Sequence, residues 1–220
     1  MGGSCGRLRP LQRGRVGVVA DYLTKGATIS ACGNYRYRLW REWRLGNSTQ
    51  WDMWTEDDGS PALDGVGQQL GEPLSCVFVM LNPSTADGEQ DDPTIRRCVG
   101  FAKRLGFDRL DVINLFAWRA TNPADLLKVG PVSDPCGAAN QDAFYRTLDA
   151  AGMVVCAWGA HGTHLGQDET ALGWIADYLD ILADEGREVP IVALGLTKDG
   201  HPRHPLYLSA DAQPVAYGAL

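Results

Sequence analysis

The chain has 220 residues, of which 45% are hydrophobic and 21% charged, with a formal net charge of −7. Its length suits one domain, its apolar content is too high for a disordered chain, and no apolar stretch approaches the roughly 18 residues of a membrane span. The acidic balance argues against a protein held to nucleic acid mainly by Lys and Arg on phosphates.

The charge is uneven. Residues 1–44 hold nine basic residues against Asp21 and Glu42, which predicts either a basic face on an acidic molecule or a solvated basic tail. Arg7 and Arg9 have no apolar run behind them, and Gly6 stands where a myristoylation motif needs Ser or Thr. Neither a secretory leader nor a lipid anchor is expected, and the expected compartment is cytoplasmic. Residues 1–27 read as a basic, flexible segment. Residues 28–220 read as a single domain, with a hairpin and acidic loop over 28–72 and a core over 73–210.

In Tyr35–Trp43, Tyr35, Tyr37, Leu39 and Trp43 share one parity while Arg36, Arg38 and Glu42 share the other. A period of two predicts a strand with one buried face, paired to 51–54 through a turn at Gly46-Asn47. After the acidic loop, the continuous apolar run 76–81 predicts a buried central strand. Asp92-Pro93 supplies an N-cap and a first-turn proline for a helix ending at Gly106. Its apolar stripe is Ile95, Cys98, Val99, Ala102 and Leu105, and Arg96, Arg97, Lys103 and Arg104 lie opposite. Strands follow at 110–115, 153–157 and 190–194, with helices from Asp134-Pro135 to about Ala150 and over 169–185. This alternation predicts an α/β fold in which helices cover both faces of a mainly parallel four-stranded sheet, with the hairpin preceding it.

The six cysteines contain no Cys-x-x-Cys pair, and Cys76, Cys98 and Cys156 sit in apolar runs where a thiol behaves as a small hydrophobe. A disulfide framework is not expected. His161 and His164 lack further ligands, so no metal and no cofactor are expected.

In an open α/β sheet, ligands bind beyond the carboxyl ends of the strands. The loops predicted there are polar: Asn82-Pro83-Ser84-Thr85-Ala86-Asp87, the run from Asn114 through Trp118 and Arg119, Trp158-Gly159-Ala160-His161, and Thr197 through Leu208. Each has a plainer role available, as a helix-capping turn or a core aromatic. Together they predict a pocket.

Leu-Asn-Pro-Ser-Thr-Ala-Asp over 81–87, with Asp-Asp-Pro-Thr-Ile-Arg-Arg-Cys over 91–98, resembles the bacterial and phage family known as domain of unknown function 1643. That likeness covers roughly residues 28–210 and names no activity. A more distant resemblance is to the uracil-DNA glycosylase superfamily, which implies a three-layer α/β/α fold. Leu81-Asn82-Pro83-Ser84 is similar to its first motif, and Val112-Ile113-Asn114-Leu115 with Arg119 to the strand whose Asn reads a base edge. His204-Pro205-Leu206-Tyr207-Leu208 is similar to its second motif, with His201-Pro202 a competing alignment. Met80 departs from the pattern, standing where those glycosylases have Gly.

The resemblance implies an N-glycosidase acting on a modified or damaged base in DNA or in a nucleotide. The alternatives are a non-catalytic nucleic-acid or nucleotide-binding module and a base-hypermodifying enzyme using the same pocket. Hydrolysis of an N-glycosidic bond builds positive charge on the sugar and negative charge on the base, and so calls for a placed water and donors. Asn82 would orient water, His204 would donate to the base, and Asn114 would pair with its edge. Phe116 or Trp118 would stack on it. Ser84, Thr85, Arg96, Arg97, Arg119 and Arg203 would meet phosphate. An amide is a weak base, which leaves that role to Asp87 or Asp91, with Asp92 read as a helix cap.

Overall fold

The computed structural model describes residues 22–43, 74–84, 86–122, 126 and 134–218. Among them, seven strands form one mixed sheet: β1 Thr24–Ile29, β2 Arg36–Glu42, β3 Ser75–Met80, β4 Arg109–Asn114, β5 Ala151–Cys156, β6 Ile191–Ala193 and β7 Val215–Ala216. Their spatial order is β1-β2-β4-β3-β5-β6-β7. The inner four, β4, β3, β5 and β6, run parallel, while β1, β2 and β7 add antiparallel edges. The fold is therefore α/β as expected, but its sheet has seven strands where four were expected.

Three α-helices among the described residues, α1 Pro93–Arg104, α2 Asn140–Leu148 and α3 Gln167–Asp184, complete the layout. The pleat of β3 shows how they divide. Cys76, Phe78 and Met80 pack with Ile95, Cys98 and Ala102 of α1. Val77 and Val79 point the other way, toward Phe144 and Leu148 of α2 and Ala171 and Ile175 of α3. Both faces of the strand are thus covered, as a wholly apolar run requires. No helix among the described residues is long and apolar enough to cross a membrane.

α1 starts as its sequence dictates: the Asp92 carboxylate accepts from Ile95 N at 2.8 Å, and Gly106 leaves the helix at φ 86°. α2 begins later than expected, at Asn140. Asp134 instead accepts from the N–H groups of Cys136 and Gly137, forming a local turn, and Gly137 at φ 85° interrupts any helix before it.

β2 pairs with the upstream β1 on one edge and with β4 along Leu39–Glu42 on the other. Its expected hairpin partner is residues 51–54. Those residues lie outside the described ones, as does the acidic loop at 56–72. β1 itself carried too few buried apolar residues to stand out, its pattern being exposed at both ends.

Strand β2 keeps the expected alternation at Leu39, Arg41 and Trp43 but breaks it at Arg36, which is buried although it lies on the polar parity. Arg41 is held by Asp91 at 2.7 Å and by the carbonyls of Trp40 and Asp87. Arg38 Nε donates to the buried Asp111 at 2.7 Å, where Ser75 Oγ and Arg109 Nε also donate. One carboxylate thereby ties β2, β3 and β4 together. Much of the described basic excess is spent inside the fold.

Candidate functional site

β3 leads through α1 to β4 on one side, and β5 leads through α3 to β6 on the other. Between adjacent strands whose connections leave in opposite directions, the loops part and open a crevice at the carboxyl ends. A cleft of about 650 Å³ lies there, between the sheet and the N-terminal end of α1. It is lined in part by Asn82 and Ser84 after β3, Asn114 ending β4, Trp158 and His161 after β5, and His204.

Asn114 is the floor group. It stands opposite Met80 in the parallel register of β3 and β4 and is 1% exposed. Its backbone carbonyl accepts from Asn140 Nδ2 at 2.9 Å, yet its own side-chain nitrogen and oxygen have no hydrogen-bond partner. Two more buried polar groups that line the cleft share this state, Trp158 Nε1 and Arg36 Nε. Buried polar groups are almost always paired, and three of the five described residues with such an unpaired atom line this one cavity.

Asn82 is fixed by its amide nitrogen, which donates to Ala120 O at 2.7 Å and Pro83 O at 3.1 Å. Both amide hydrogens are committed, and the oxygen is left as the acceptor. His204 caps the short 3-10 turn Pro205–Tyr207: its Nδ1 accepts from Leu206 N at 3.2 Å. With Nδ1 accepting, the neutral ring carries its proton on Nε2 and presents a donor. Burial holds the imidazole below its ordinary pKa, and the charge of Asp92 opposes this weakly, so the neutral form prevails at neutral pH.

Of the expected residues, the structure brings Asn82, Ser84, Asn114, Arg203 and His204 to the cleft. Asp87 does not line it. Its Oδ1 accepts from Glu89 N and Gln90 N, both at 2.8 Å, and these bonds lower its pKa and make it a loop organiser. Asp91 is held by Arg41 and by Tyr22 Oη. Asp92 is the carboxylate that lines the cleft among the described residues.

Phe116 is buried in the core beside His164, and Trp118 packs edge-on against Tyr35. Neither ring lines the cleft; Trp158 and Tyr207 do. Arg96 donates to Asp91 O, Arg97 to Leu208 O, and Arg119 to Gly33 O, all away from the cavity lining. Thr85 lies outside the described residues.

The residues missed in the sequence are Arg36 and Asp92 as a lining group, and Trp158 was placed at the pocket but given no role. Arg36 was placed on an exposed strand face by alternation, and nothing local marks it as buried. Trp158 carried a signal, since it directly follows a buried strand at the same sheet edge as Asn82 and Asn114.

A family model described as "Protein of unknown function (DUF1643)" matches residues 63–206, well over half of the chain. No curated protein and no solved structure gives a match.

Proposed function

The chain belongs to the DUF1643 family, and from that premise we propose that its cleft binds a nucleobase and hydrolyses the N-glycosidic bond of a modified or damaged base, in DNA or in a nucleotide. The observation that carries this reading is Asn114, a buried amide with one donor group and one acceptor group unpaired at the floor of the cleft. A base edge offers the complementary acceptor and donor side by side. The distant likeness of the Asn82, Asn114 and His204 runs to the uracil-DNA glycosylase superfamily points the same way.

The residues divide the work as follows. Asn114 pairs with the base edge, and the indole of Trp158 offers a ring and an N–H beside it. Asn82 Oδ1 accepts from the attacking water and aims it. Water oxygen bonds to the sugar C1′ as the C1′–N bond breaks, and the bonding pair leaves with the base. His204 Nε2–H donates to the oxygen on which that negative charge collects. The Asp92 carboxylate balances the positive charge on the sugar, and the proton lost by water ends on the departed base or in solvent.

The test is release of free base. Oligonucleotides and nucleotides carrying a panel of modified bases are incubated with the protein and the products separated by chromatography. At least one free base should be released, with the rate falling roughly a hundredfold or more in Asn82→Ala and His204→Ala. Binding without release in the wild type would favour the non-catalytic module. Release that survives both substitutions would overturn the roles of Asn82 and His204.

A further inference from the structure

We propose that the ligand of this cleft carries a phosphate group that docks against Arg36, and that it is a free mononucleotide and not a nucleic-acid polymer. The proposal rests on the base-binding reading above and adds the substrate class.

Arg36 is 2% exposed and lines the cleft. One Nη1 hydrogen goes to Ala86 O at 2.5 Å, Nε has no partner, and no carboxylate among the described residues lies within ion-pair distance of it. Burial lowers its pKa to about 10, which still leaves a cation at neutral pH. A buried guanidinium with no carboxylate in contact, offset only through space by Asp92 and Asp87, is unfavourable. An anion arriving with the ligand removes that penalty, and the planar fork of Arg suits the oxygens of a phosphate.

The surroundings favour the same group. The N-terminus of α1 opens on this cleft through Thr94, and the positive end of a helix dipole adds to the attraction. Ser84, Thr94 and Thr121, each with a hydroxyl, line it. Asp92 is the opposing charge, and one of its oxygens is already engaged by Ile95 N.

A polymer needs several phosphate contacts outside the pocket. The described cations of β1 and β2 do not supply them. Lys25 pairs with Glu89 at 3.0 Å, Arg38 with Asp111 at 2.7 Å and Arg41 with Asp91 at 2.7 Å. Arg97 and Arg104 bond backbone carbonyls of the C-terminal segment, Leu208 and Ala212. The one cation of β1 and β2 that lacks an acidic partner among the described residues lines the cleft.

Calorimetric titration separates the possibilities. The probes are the common deoxynucleosides, their 5′-monophosphates, inorganic phosphate and a short single-stranded oligonucleotide. A monophosphate should bind roughly tenfold to a hundredfold more tightly than its nucleoside. Arg36→Gln should abolish that difference, and Arg36→Lys should restore part of it. Inorganic phosphate should compete with the monophosphate, and its own binding should survive Asn114→Leu. Equal affinity for nucleoside and monophosphate overturns the phosphate contact but leaves the base reading standing. Phosphate binding with no preference for any nucleoside does the reverse. An oligonucleotide that outcompetes every monophosphate overturns the free-nucleotide assignment. The wild-type comparison decides between these outcomes even if Arg36→Gln does not fold.

Discussion

The Asn114 amide and the Trp158 indole N–H are both buried, both lack a hydrogen-bond partner, and both line the cleft at the carboxyl edge of the parallel strands. Five described residues carry a buried side-chain polar atom without a protein partner, and Asn114, Trp158 and Arg36 are the three of them that line the cleft, where a bound ligand would offset the cost. An unsatisfied buried polar group costs about 1–3 kcal/mol, and the positions of these two argue for function over packing.

That cost makes a direct prediction. Asn114→Leu replaces an unpaired amide with an apolar group of similar shape, and stability should stay level or rise by about 1–2 kcal/mol. Base binding should fall over the same substitution. Urea unfolding and ligand titration of one preparation check both. A loss of stability would mark Asn114 as a structural residue.

Asp111 should behave in the opposite way. It is fully buried and accepts from Arg38, Ser75 and Arg109. Asp111→Ala leaves two arginines facing a void and should cost about 3–5 kcal/mol, measured as a drop in urea midpoint without change in slope.

Gly162 has no room for a side chain. A Cβ there would lie 2.1 Å from Trp158 Cδ1 and 2.5 Å from its Nε1. Gly162→Ala should therefore displace the indole and cost about 1–3 kcal/mol. Ligand affinity should weaken with it, both followed through tryptophan fluorescence.

His204 sets the expected pH dependence. Its pKa is depressed from the ordinary 6.5 by burial, so the unfolded chain takes up a proton at a higher pH than the folded one. Its contribution to stability is complete above 6.5 and is lost as pH falls from there toward the depressed folded value. Protonation also puts a hydrogen on Nδ1, which faces the Leu206 N–H, so the turn and the activity should fail together on the acid side. Unfolding free energy measured against pH should show this slope in the wild type and lose it in His204→Gln.

The parts of the fold legible in the sequence are those where local pattern and burial agree. The apolar run of β3, the Asp92-Pro93 start of α1 and the Asn82 and His204 loops at strand ends were all readable. What failed was long-range. Nothing near Arg36 or Arg41 announces that β2 is enclosed on both edges, because their partners Ala86 and Asp91 lie 50 residues away. The stacking rings were misplaced for a related reason: Phe116 and Trp118 follow the right strand, but their side chains leave it toward the core and Tyr35. The start of α2 was misread because a proline after Asp fits an Asx turn as well as a helix cap, and Gly137 decides between them.

The most direct test of base recognition watches the Asn114 side chain itself. The protein is labelled with ¹⁵N, the Asn114 amide signal is assigned by its loss in Asn114→Leu, and nucleosides and their 5′-monophosphates are titrated in turn. A base bound to this amide must shift the two Nδ2 hydrogens saturably, since no protein group bonds them. If a ligand binds and these signals do not move, the base edge is read elsewhere and Asn114 is not the recognition group.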